Sequence, residues 1–411
     1  MKKAIAFNTV AQIIGKAISG GTTFFVSILL ARSLGVEGYG DFTKVTTYVA
    51  FFYLFCDFGL NAAYLQLTEK QTEKHLKNAL FTTRILLSLL LMFVTLAITA
   101  FLPGSSGQGY SNAVKMGIIL FTPSILFQTM ITTTNVLFQE RMRYDFATYA
   151  IGAGSIATVL SVFFMSKILL PNAMVFGSLI SFLIGSVLTM ITALFFVKKI
   201  SGLPSLTFDG TTIQKLLKTA LPLGMTLLFN VIYFRIDSVV LTITRSTAEV
   251  GTYGLAYKFF EMALVLPTFF MNAALPSLML AKKTADTKRL QQQIRTSGIS
   301  LGLLSLFIVI CGWFAAPLIT MIRPEFSASI VPFKLLLIGL PIFYLSSLTM
   351  WILVIEKRQI QMLIIYALSM IINVVANIVF IPTHGYIAAA LITIFSELFI
   401  LLTSYIAIKR A

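Results

Sequence analysis

Apolar segments of membrane-spanning length recur along the whole chain. Polar or charged residues separate twelve of them, near residues 8–31, 42–66, 79–102, 114–138, 146–166, 172–197, 220–243, 254–280, 297–320, 331–355, 360–381 and 386–408. A helix needs about 20 mostly apolar residues to cross a bilayer. The pattern therefore predicts an all-α integral membrane protein with about twelve transmembrane helices.

Composition excludes a large water-soluble domain. Hydrophobic residues make up 57% of the 411 residues and charged residues only 11%, whereas soluble proteins carry about 25% charged residues. The first apolar segment follows Met1-Lys2-Lys3 and has no obvious small-residue cleavage site. We therefore expect a retained first span rather than a signal peptide.

Positive charge is concentrated in alternate loops. With the N-terminus inside, about twenty Lys and Arg residues fall on the inner side. The outer segments hold Arg32, Lys115, Lys167, Arg245, Arg323 and Lys334. Because cytoplasmic loops carry the excess of Lys and Arg in membrane proteins, both termini are predicted to be cytoplasmic. Most of the net charge of +16 is then an orientation signal, and no nucleic-acid partner is expected.

The two halves of the chain share a motif at an offset of about 213 residues. The first copy is Arg32-Ser33, Gly38-Tyr39-Gly40 and Lys44, and the second is Arg245-Ser246, Thr252-Tyr253-Gly254 and Lys258. An even number of spans separates the copies, so both halves enter the membrane with the same orientation. This predicts two six-helix lobes, 1–200 and 220–411, related by a pseudo-two-fold axis along the membrane normal.

The segment between the predicted lobes, 201–219, is expected to be a cytoplasmic linker. Within it, Ile213, Leu216 and Leu217 share one helical face, with Lys215 and Lys218 off that face. This pattern is typical of a short helix on the inner leaflet. A solvated linker turn is the alternative.

Several charged residues fall within the predicted spans, where a charge at the bilayer centre costs about 2.5–3.5 kcal/mol on insertion scales. We expect four cations to line a central cleft as substrate-binding residues: Lys16, Lys44, Arg235 and Lys258. Arg32, Asp57 and Glu261 are expected to support them. Fixed cations favour an anionic cargo, for which the pyrophosphate of a polyprenyl carrier is suitable.

Local spacing gives three further expectations for these charges. Lys258 and Glu261 are three residues apart on one helix and should pair. Arg84 is expected to extend to the inner headgroups, and for Lys44 and Lys258 extension to the outer headgroups is the alternative to lining the cleft. Asp57 is expected to end a helix near the inner surface, because Phe58 and Gly59 follow it.

The motifs resemble a known family, the O-antigen-type polysaccharide-export flippases of the multidrug/oligosaccharidyl-lipid/polysaccharide exporter (MOP) superfamily. The resemblance depends on Leu30-Ala31-Arg32-Ser33-Leu34-Gly35, Gly38-Tyr39-Gly40, Asp57-Phe58-Gly59, Asp237, Val250-Gly251-Thr252-Tyr253, Asn373, Asn377, Ile381-Pro382, Gly385, Ala388-Ala389-Ala390 and Thr393. It implies a MATE-like fold and a non-enzymatic flippase of the bacterial inner membrane. The cargo would be an undecaprenyl-pyrophosphate-linked oligosaccharide repeat unit, moved to the periplasmic face by alternating access.

The resemblance also implies partners and a coupling ion. Membrane lipids, a polysaccharide polymerase and a chain-length regulator are the expected partners. Some relatives couple transport to Na⁺ or H⁺, and Asp237, Asn373, Asn377 and Thr393 are similar to such a site in type and helix position. Oxygen ligands suit a hard cation. Asn377 stands where some relatives have a carboxylate, and an Asn pair that only bridges helices is the alternative. No other cofactor and no metal site are expected.

Two other functions remain open from the residues. An ion-coupled exporter of small molecules such as organic cations should line its cleft with acids, whereas here buried cations at least match buried acids. A membrane polymerase or glycosyltransferase should carry a sizeable outer loop with acids or arginines. The longest outer segments, 102–114 and 321–332, are short, and His75 and His384 are the only histidines.

Overall fold

The computed structural model describes residues 2–68, 73–105, 107–284 and 286–409. The α-helices are α1 (Lys2–Asp57), α2 (Leu60–Thr68), α3 (Glu73–Phe101), α4 (Asn112–Phe121), α5 (Ser124–Glu140), α6 (Tyr144–Ile168), α7 (Pro171–Ser201), α8 (Gly210–Thr244), α9 (Thr247–Lys283), α10 (Thr287–Ala315), α11 (Ile319–Ile322), α12 (Ile330–Ile355) and α13 (Gln359–Lys409). Short 3₁₀ turns at Ala316–Leu318 and Pro324–Ser329 flank α11. Strands β1 (Gly104–Ser105) and β2 (Gln108–Gly109) form a small antiparallel hairpin. Helices dominate because a chain in lipid must satisfy its backbone hydrogen bonds internally.

The helices have the lengths needed for about twelve crossings. Among the described residues, nine helical segments are long and apolar enough to span a membrane, and α8, bent by 43° between Gly210–Phe229 and Val231–Thr244, makes a tenth. Non-helical backbone at Gly35 and Gly385 divides α1 and α13, which have 56 and 51 residues. Each is long enough for two crossings of about 20 residues. The all-helical membrane fold is confirmed.

The chain divides into two compact units, Met1–Val231 and Ile232–Ala411. The division falls inside α8, whereas the sequence placed a linker at 201–219. The predicted short interfacial helix is also not separate, because residues 211–218 form the first turns of α8. The pseudo-two-fold relation between the lobes stays a prediction.

The start of α8 belongs to unit 1 because its apolar side chains pack there. Leu216 and Ala220 lie in a buried cluster with Leu60, Leu76 and other residues of that unit, and Ile213 packs against it. This burial accounts for Ile213 and Leu216 of the predicted apolar face, whereas Leu217 is 45% exposed.

Asp209 caps this helix. It accepts hydrogen bonds from the backbone N–H and the hydroxyl groups of Thr211 and Thr212. These hydrogen bonds lower the pKa of the Asp209 carboxyl to about 2. A carboxylate at this position satisfies free N–H groups of the first turn.

Unit 2 is organised around α12. This helix packs against α9, α10 and α13. Tyr233 of α8 is buried in a cluster with Leu353 of α12 and with Ile365 and Ile400 of α13. The charged residues of α8 and α9 are positioned by this packing.

Candidate functional site

Arg235 and Lys258 share a single acidic partner in unit 2. Arg235 Nη2 lies 2.8 Å from Glu261 Oε1, and Lys258 Nζ lies 2.7 Å from Glu261 Oε2. Lys258 and Glu261 are on α9 and Arg235 is on α8. The predicted Lys258–Glu261 pair is therefore formed, and the structure adds Arg235 to it.

This cluster keeps a positive charge that another molecule can reach. Two cations and one carboxylate leave a formal charge of about +1, because Arg and Lys are both protonated at neutral pH. The exposed fractions of Arg235, Glu261 and Lys258 are 29%, 28% and 31%. An anion can therefore approach the cluster without displacing its internal ion pairs.

Two further predicted cations, Lys16 and Arg32, lie on α1 with exposed side chains. Neither forms an ion pair within the part of the chain that the structure describes. Lys16 lies six residues after Val10, where the first candidate span begins. Its place in a cleft and its role in binding cargo stay predictions.

Lys44 is enclosed, in contrast to its repeat counterpart Lys258. Its side chain is only 1% exposed, and Nζ lies 3.7 Å from Asp41 Oδ1 one turn earlier on α1. Close packing of α1 against α4 and α7 covers this part of the helix. In this structure Lys44 therefore does not face the open space that the sequence suggested for it.

Arg84 does not extend to the headgroups, so that prediction is wrong. The side chain is fully buried, and Nη2 lies 2.8 Å from Asp57 Oδ1 and 2.9 Å from Asn61 Oδ1. Nη1 donates to Thr133 Oγ1 at 3.3 Å. Because these partners lie inside the protein, the guanidinium of Arg84 does not need to extend to water at the membrane surface.

Asp57 has a structural role in this structure. It is the last residue of α1, as predicted, and Phe58 and Gly59 follow with positive φ angles of 35° and 76°. Its carboxylate holds Arg84 of α3. We therefore assign Asp57 to the internal packing of unit 1 rather than to cargo binding.

The predicted coupling-ion residues form two groups in unit 2. Asp237 is 3% exposed and accepts a hydrogen bond of 2.5 Å from Tyr253 Oη. Thr393 lies close to the same tyrosine, and its Oγ1 donates to the Ala389 carbonyl at 2.9 Å. Tyr253, noted in the sequence only as part of a repeat motif, thus lies beside two of the four residues.

Asn373 and Asn377 form the second group on α13. Asn377 Nδ2 donates to Asn373 Oδ1 at 2.9 Å, and Asn373 Nδ2 donates to Ser396 Oγ at 3.0 Å. The Asn377 Oδ1 atom is buried and has no hydrogen-bond donor within the described residues. A buried acceptor without a partner costs free energy. Carboxylate, amide and hydroxyl oxygens of this kind fit a hard cation.

A carboxylate that the sequence analysis left without a role is also buried in unit 2. Glu397 is 4% exposed and accepts hydrogen bonds from Tyr233 Oη at 2.8 Å and from Ser346 Oγ. In the sequence, Glu397 stands out only as the single acidic residue of the last apolar segment, 386–408. Its partners are 164 and 51 residues away and could not be identified from the sequence.

Within the described ranges, no group of three or more His, Cys, Asp or Glu side chains is placed to hold a metal ion.

Comparison with protein families gives two matches. A family model described as polysaccharide biosynthesis protein matches residues 2–280. A model described as MatE matches residues 222–379. A comparison with curated protein sequences gives no match.

Solved transporter structures share the fold over nearly the whole chain. A structure described as the lipid II flippase MurJ in an inward closed conformation has a TM-score of 0.80 and 16% identity, covering 98% of this chain and 87% of that one. An inward-facing multidrug resistance MATE family transporter of the MOP superfamily has a TM-score of 0.76 and 13% identity, covering 97% and 98%. A MOP superfamily transporter from Pyrococcus furiosus, described as having a binding pocket of reverse polarity, has a TM-score of 0.65 and 14% identity, covering 99% and 96%. The MATE-like fold predicted from the motifs is confirmed.

Proposed function

Because the chain belongs to the polysaccharide biosynthesis protein family, whose model matches residues 2–280, we propose that it is a flippase for a lipid-linked oligosaccharide. The cargo is an oligosaccharide repeat unit on undecaprenyl pyrophosphate. It moves from the cytoplasmic to the periplasmic face of the bacterial inner membrane. The protein works by alternating access, without catalysis.

The partly exposed Arg235–Glu261–Lys258 cluster carries this proposal. An excess cation at membrane depth is costly unless it meets an anion or water. Arg and Lys bind phosphate oxygens through charge-assisted hydrogen bonds. The pyrophosphate of the carrier supplies such oxygens, while its prenyl chain stays in the lipid. Lys16, exposed on α1, offers the same chemistry in unit 1.

Flipping of a labelled carrier tests this assignment. We expect Lys16→Gln/Arg235→Gln protein in liposomes to move fluorescent undecaprenyl-pyrophosphate N-acetylglucosamine at least ten-fold more slowly than the unmodified protein. Loss of both charges removes the attraction for pyrophosphate, while glutamine keeps a polar side chain at each position. Flipping is measured by the fraction of label that an added reductant cannot reach.

The matched control is Lys167→Gln, which removes an exposed cation at the end of α6. It should flip at the unmodified rate. An unchanged rate in the double variant would contradict the role of the two cations. Absence of flipping by the unmodified protein, with every lipid-linked sugar offered, would contradict the flippase itself.

We further propose that an ion gradient drives transport through Asp237, Asn373, Asn377 and Thr393. The buried Asp237 carboxylate and the unpaired Asn377 Oδ1 support this. Asn377→Leu should abolish stimulation of flipping by an inward Na⁺ or H⁺ gradient while leaving the basal rate. Glu356→Gln, which removes a carboxylate paired with Lys282 at the end of α12, is the control. If an ion gradient stimulated flipping by the Asn377→Leu protein as strongly as by the unmodified protein, this coupling site would be contradicted.

An ion-coupled exporter of small molecules is the second candidate. The MatE match over residues 222–379 and the buried acids Asp237 and Glu397 favour it. The two candidates differ in cargo charge. Efflux of a cationic dye that persists in the Lys16→Gln/Arg235→Gln protein, combined with no flipping of lipid-linked sugar, would support the exporter.

A further inference from the structure

Unit 1 contains a polar cavity of 320 Å³ that was not predicted from the sequence. Helices α1, α5, α6 and α7 all contribute to its lining. Seven hydroxyl side chains, two amides, two glycines and four apolar side chains line it, and none of these described residues is charged. Its volume is near the lower end, about 300 Å³, of small-molecule binding sites.

The cavity presents hydrogen-bonding groups that the protein leaves unused. Gln128 and Asn135 lie two turns apart on α5, with half-buried amides. Ser155 of α6 and Ser186 of α7 face the same space. These four side chains have no hydrogen-bond partner within the ranges that the structure describes. Polar groups at this depth need a ligand or water, because unpaired burial is costly.

The floor of the cavity is closely packed and has a fixed shape. A Cβ atom on Gly154 would lie 1.8 Å from Thr189 Oγ1, and one on Gly185 would lie 1.8 Å from Thr158 Oγ1. Thr158 and Thr189 donate to the Gly154 and Gly185 carbonyls, both at 2.9 Å. Small residues thus let α6 and α7 approach closely. The cavity is therefore a built feature rather than a loose gap between helices.

The chemistry of the lining selects one class of ligand. A charged ligand would find no counter-charge, and an apolar ligand would leave the amides unpaired. A neutral ligand with many hydroxyl groups can both donate to and accept from Gln128, Asn135 and the serines. The Phe182 ring, held 5.5 Å from the Phe42 ring, adds an apolar wall for the C–H face of a sugar. Carbohydrate fits all of these requirements.

The position of Lys16 relates this cavity to the anion of the cargo. Ser19 and Thr23 line the cavity from α1 and are exposed, so they mark its mouth. Lys16 precedes them by three and seven residues and therefore lies on the same helical face. At 1.5 Å per residue, Lys16 is about 4.5 Å along the axis from Ser19. A pyrophosphate held by Lys16 would place a directly attached sugar at this mouth.

We propose that this cavity is the sugar-selecting subsite of the protein, which accepts a neutral sugar of the cargo while Lys16 holds the adjacent pyrophosphate. The subsite rests on the flippase function proposed above. It divides cargo recognition between two chemistries: the charge of Lys16 binds the carrier, and hydroxyl and amide groups of α1, α5, α6 and α7 bind the glycan.

Binding of defined glycolipids to the full chain in lipid nanodiscs tests the subsite. The probes are undecaprenol, undecaprenyl pyrophosphate, and undecaprenyl pyrophosphate bearing one N-acetylglucosamine, glucose, galactose or rhamnose. We expect at least one sugar-bearing probe to bind ten-fold more tightly than bare undecaprenyl pyrophosphate. Gln128→Leu and Asn135→Leu should reduce that advantage to two-fold or less and leave binding of the bare pyrophosphate unchanged.

Two further variants keep the result interpretable. Gln139→Leu makes the same change at an exposed position of α5 outside the cavity, and it should bind every probe normally. Ser186→Ala removes one hydroxyl with little change in volume and should reduce the sugar advantage about three-fold. If thermal unfolding shows that the leucine variants do not fold, the Ser186→Ala protein alone tests whether the cavity binds the sugar.

The outcomes separate the subsite from the flippase function. If every sugar-bearing probe binds like bare undecaprenyl pyrophosphate, or if the cavity variants keep the full advantage, the cavity holds only water and the proposal is overturned. If undecaprenyl pyrophosphate binds no better than undecaprenol, the proposed function fails first.

Discussion

Arg84 and Arg235 are both arginines within apolar helices, but their surroundings give them different roles. Arg84 is fully enclosed and its charge is balanced by Asp57, which is 29% exposed. Arg235 is 29% exposed and shares Glu261 with a second cation. An enclosed, balanced charge contributes to packing, whereas a partly exposed excess charge can bind an anion. Exposure and charge balance, rather than residue type, separate the structural cations from the candidate functional ones.

The Arg84–Asp57 pair predicts an asymmetric loss of stability. Asp57→Asn leaves a fully buried guanidinium without its counter-charge and should lower the free energy of unfolding by about 3–5 kcal/mol. Arg84→Met leaves a carboxylate that can still reach solvent and should cost less, about 1–3 kcal/mol. The double variant should lose less than the sum of the two. Thermal unfolding of detergent-purified protein provides the measurement.

Arg323→Met is the control for this pair, since both members of the Arg323–Glu325 pair are exposed, by 38% and 53%. Exposed pairs contribute at most about 1 kcal/mol. A larger loss for Arg84→Met than for Asp57→Asn would show that the burial of Arg84 does not determine the cost.

Helix α13 shows how one glycine can divide an apolar helix into two crossings. Gly385 has a φ angle of 59° and interrupts 51 residues of otherwise helical backbone. Arg245 and Glu249 pair at 2.9 Å, and Arg245 Nη1 donates to the Pro382 carbonyl at 3.2 Å. A Cβ atom on Gly385 would lie within 2.4 Å of Glu249 Oε2. The turn therefore requires glycine for both its conformation and its close approach to this pair.

Gly385→Ala should accordingly destabilise the protein. Backbone with φ 59° and ψ −144° is almost confined to glycine and costs another residue about 1–3 kcal/mol, and the clash with Glu249 adds to this. Gly302→Ala is the matched control, because Gly302 lies within α10 and an added Cβ there meets nothing within 4 Å. That control should stabilise the helix by up to about 1 kcal/mol. Equal melting temperatures of the two variants would contradict the assigned role of Gly385.

The charge asymmetry between the loops predicts the membrane orientation of the whole molecule. About twenty Lys and Arg residues fall in the segments assigned to the inside and six in those assigned to the outside. Positively charged loops are retained on the cytoplasmic side during insertion. The hairpin of β1 and β2 belongs to the outer segments in this scheme, and the loop that follows Ser201 belongs to the inner ones.

Reporter fusions test this orientation. Alkaline phosphatase inserted in the β1–β2 hairpin should be active, since the enzyme needs the periplasm, and the same insertion after Ser201 should be inactive. A fluorescent protein fused after the last residue should fluoresce in the cytoplasm. Phosphatase activity after Ser201 would reverse the predicted topology.

Much of the fold was predictable because its main constraint is local. A crossing requires about 20 apolar residues in a row, whatever lies elsewhere in the chain. The apolar segments thus correspond closely to the helices, including the divisions at Gly35 and Gly385. The exception is residues 211–218, which begin the long helix α8 instead of forming a separate helix, and whose Leu216 packs into unit 1. An amphipathic pattern predicts a buried face but does not identify what buries it.

The sequence by itself determined the helical membrane class, the approximate crossings and which charges lie within the apolar segments. Apart from the local Lys258–Glu261 pair, only the tertiary structure decided which charges are paired. Arg84 meets Asp57 from 27 residues away, and four helices contribute to the uncharged cavity of unit 1. The physical reason is that the apolar segments are hydrophobic nearly all round, so their periodicity does not determine how each helix is rotated. Packing between helices sets that rotation, and with it the partners of every polar side chain.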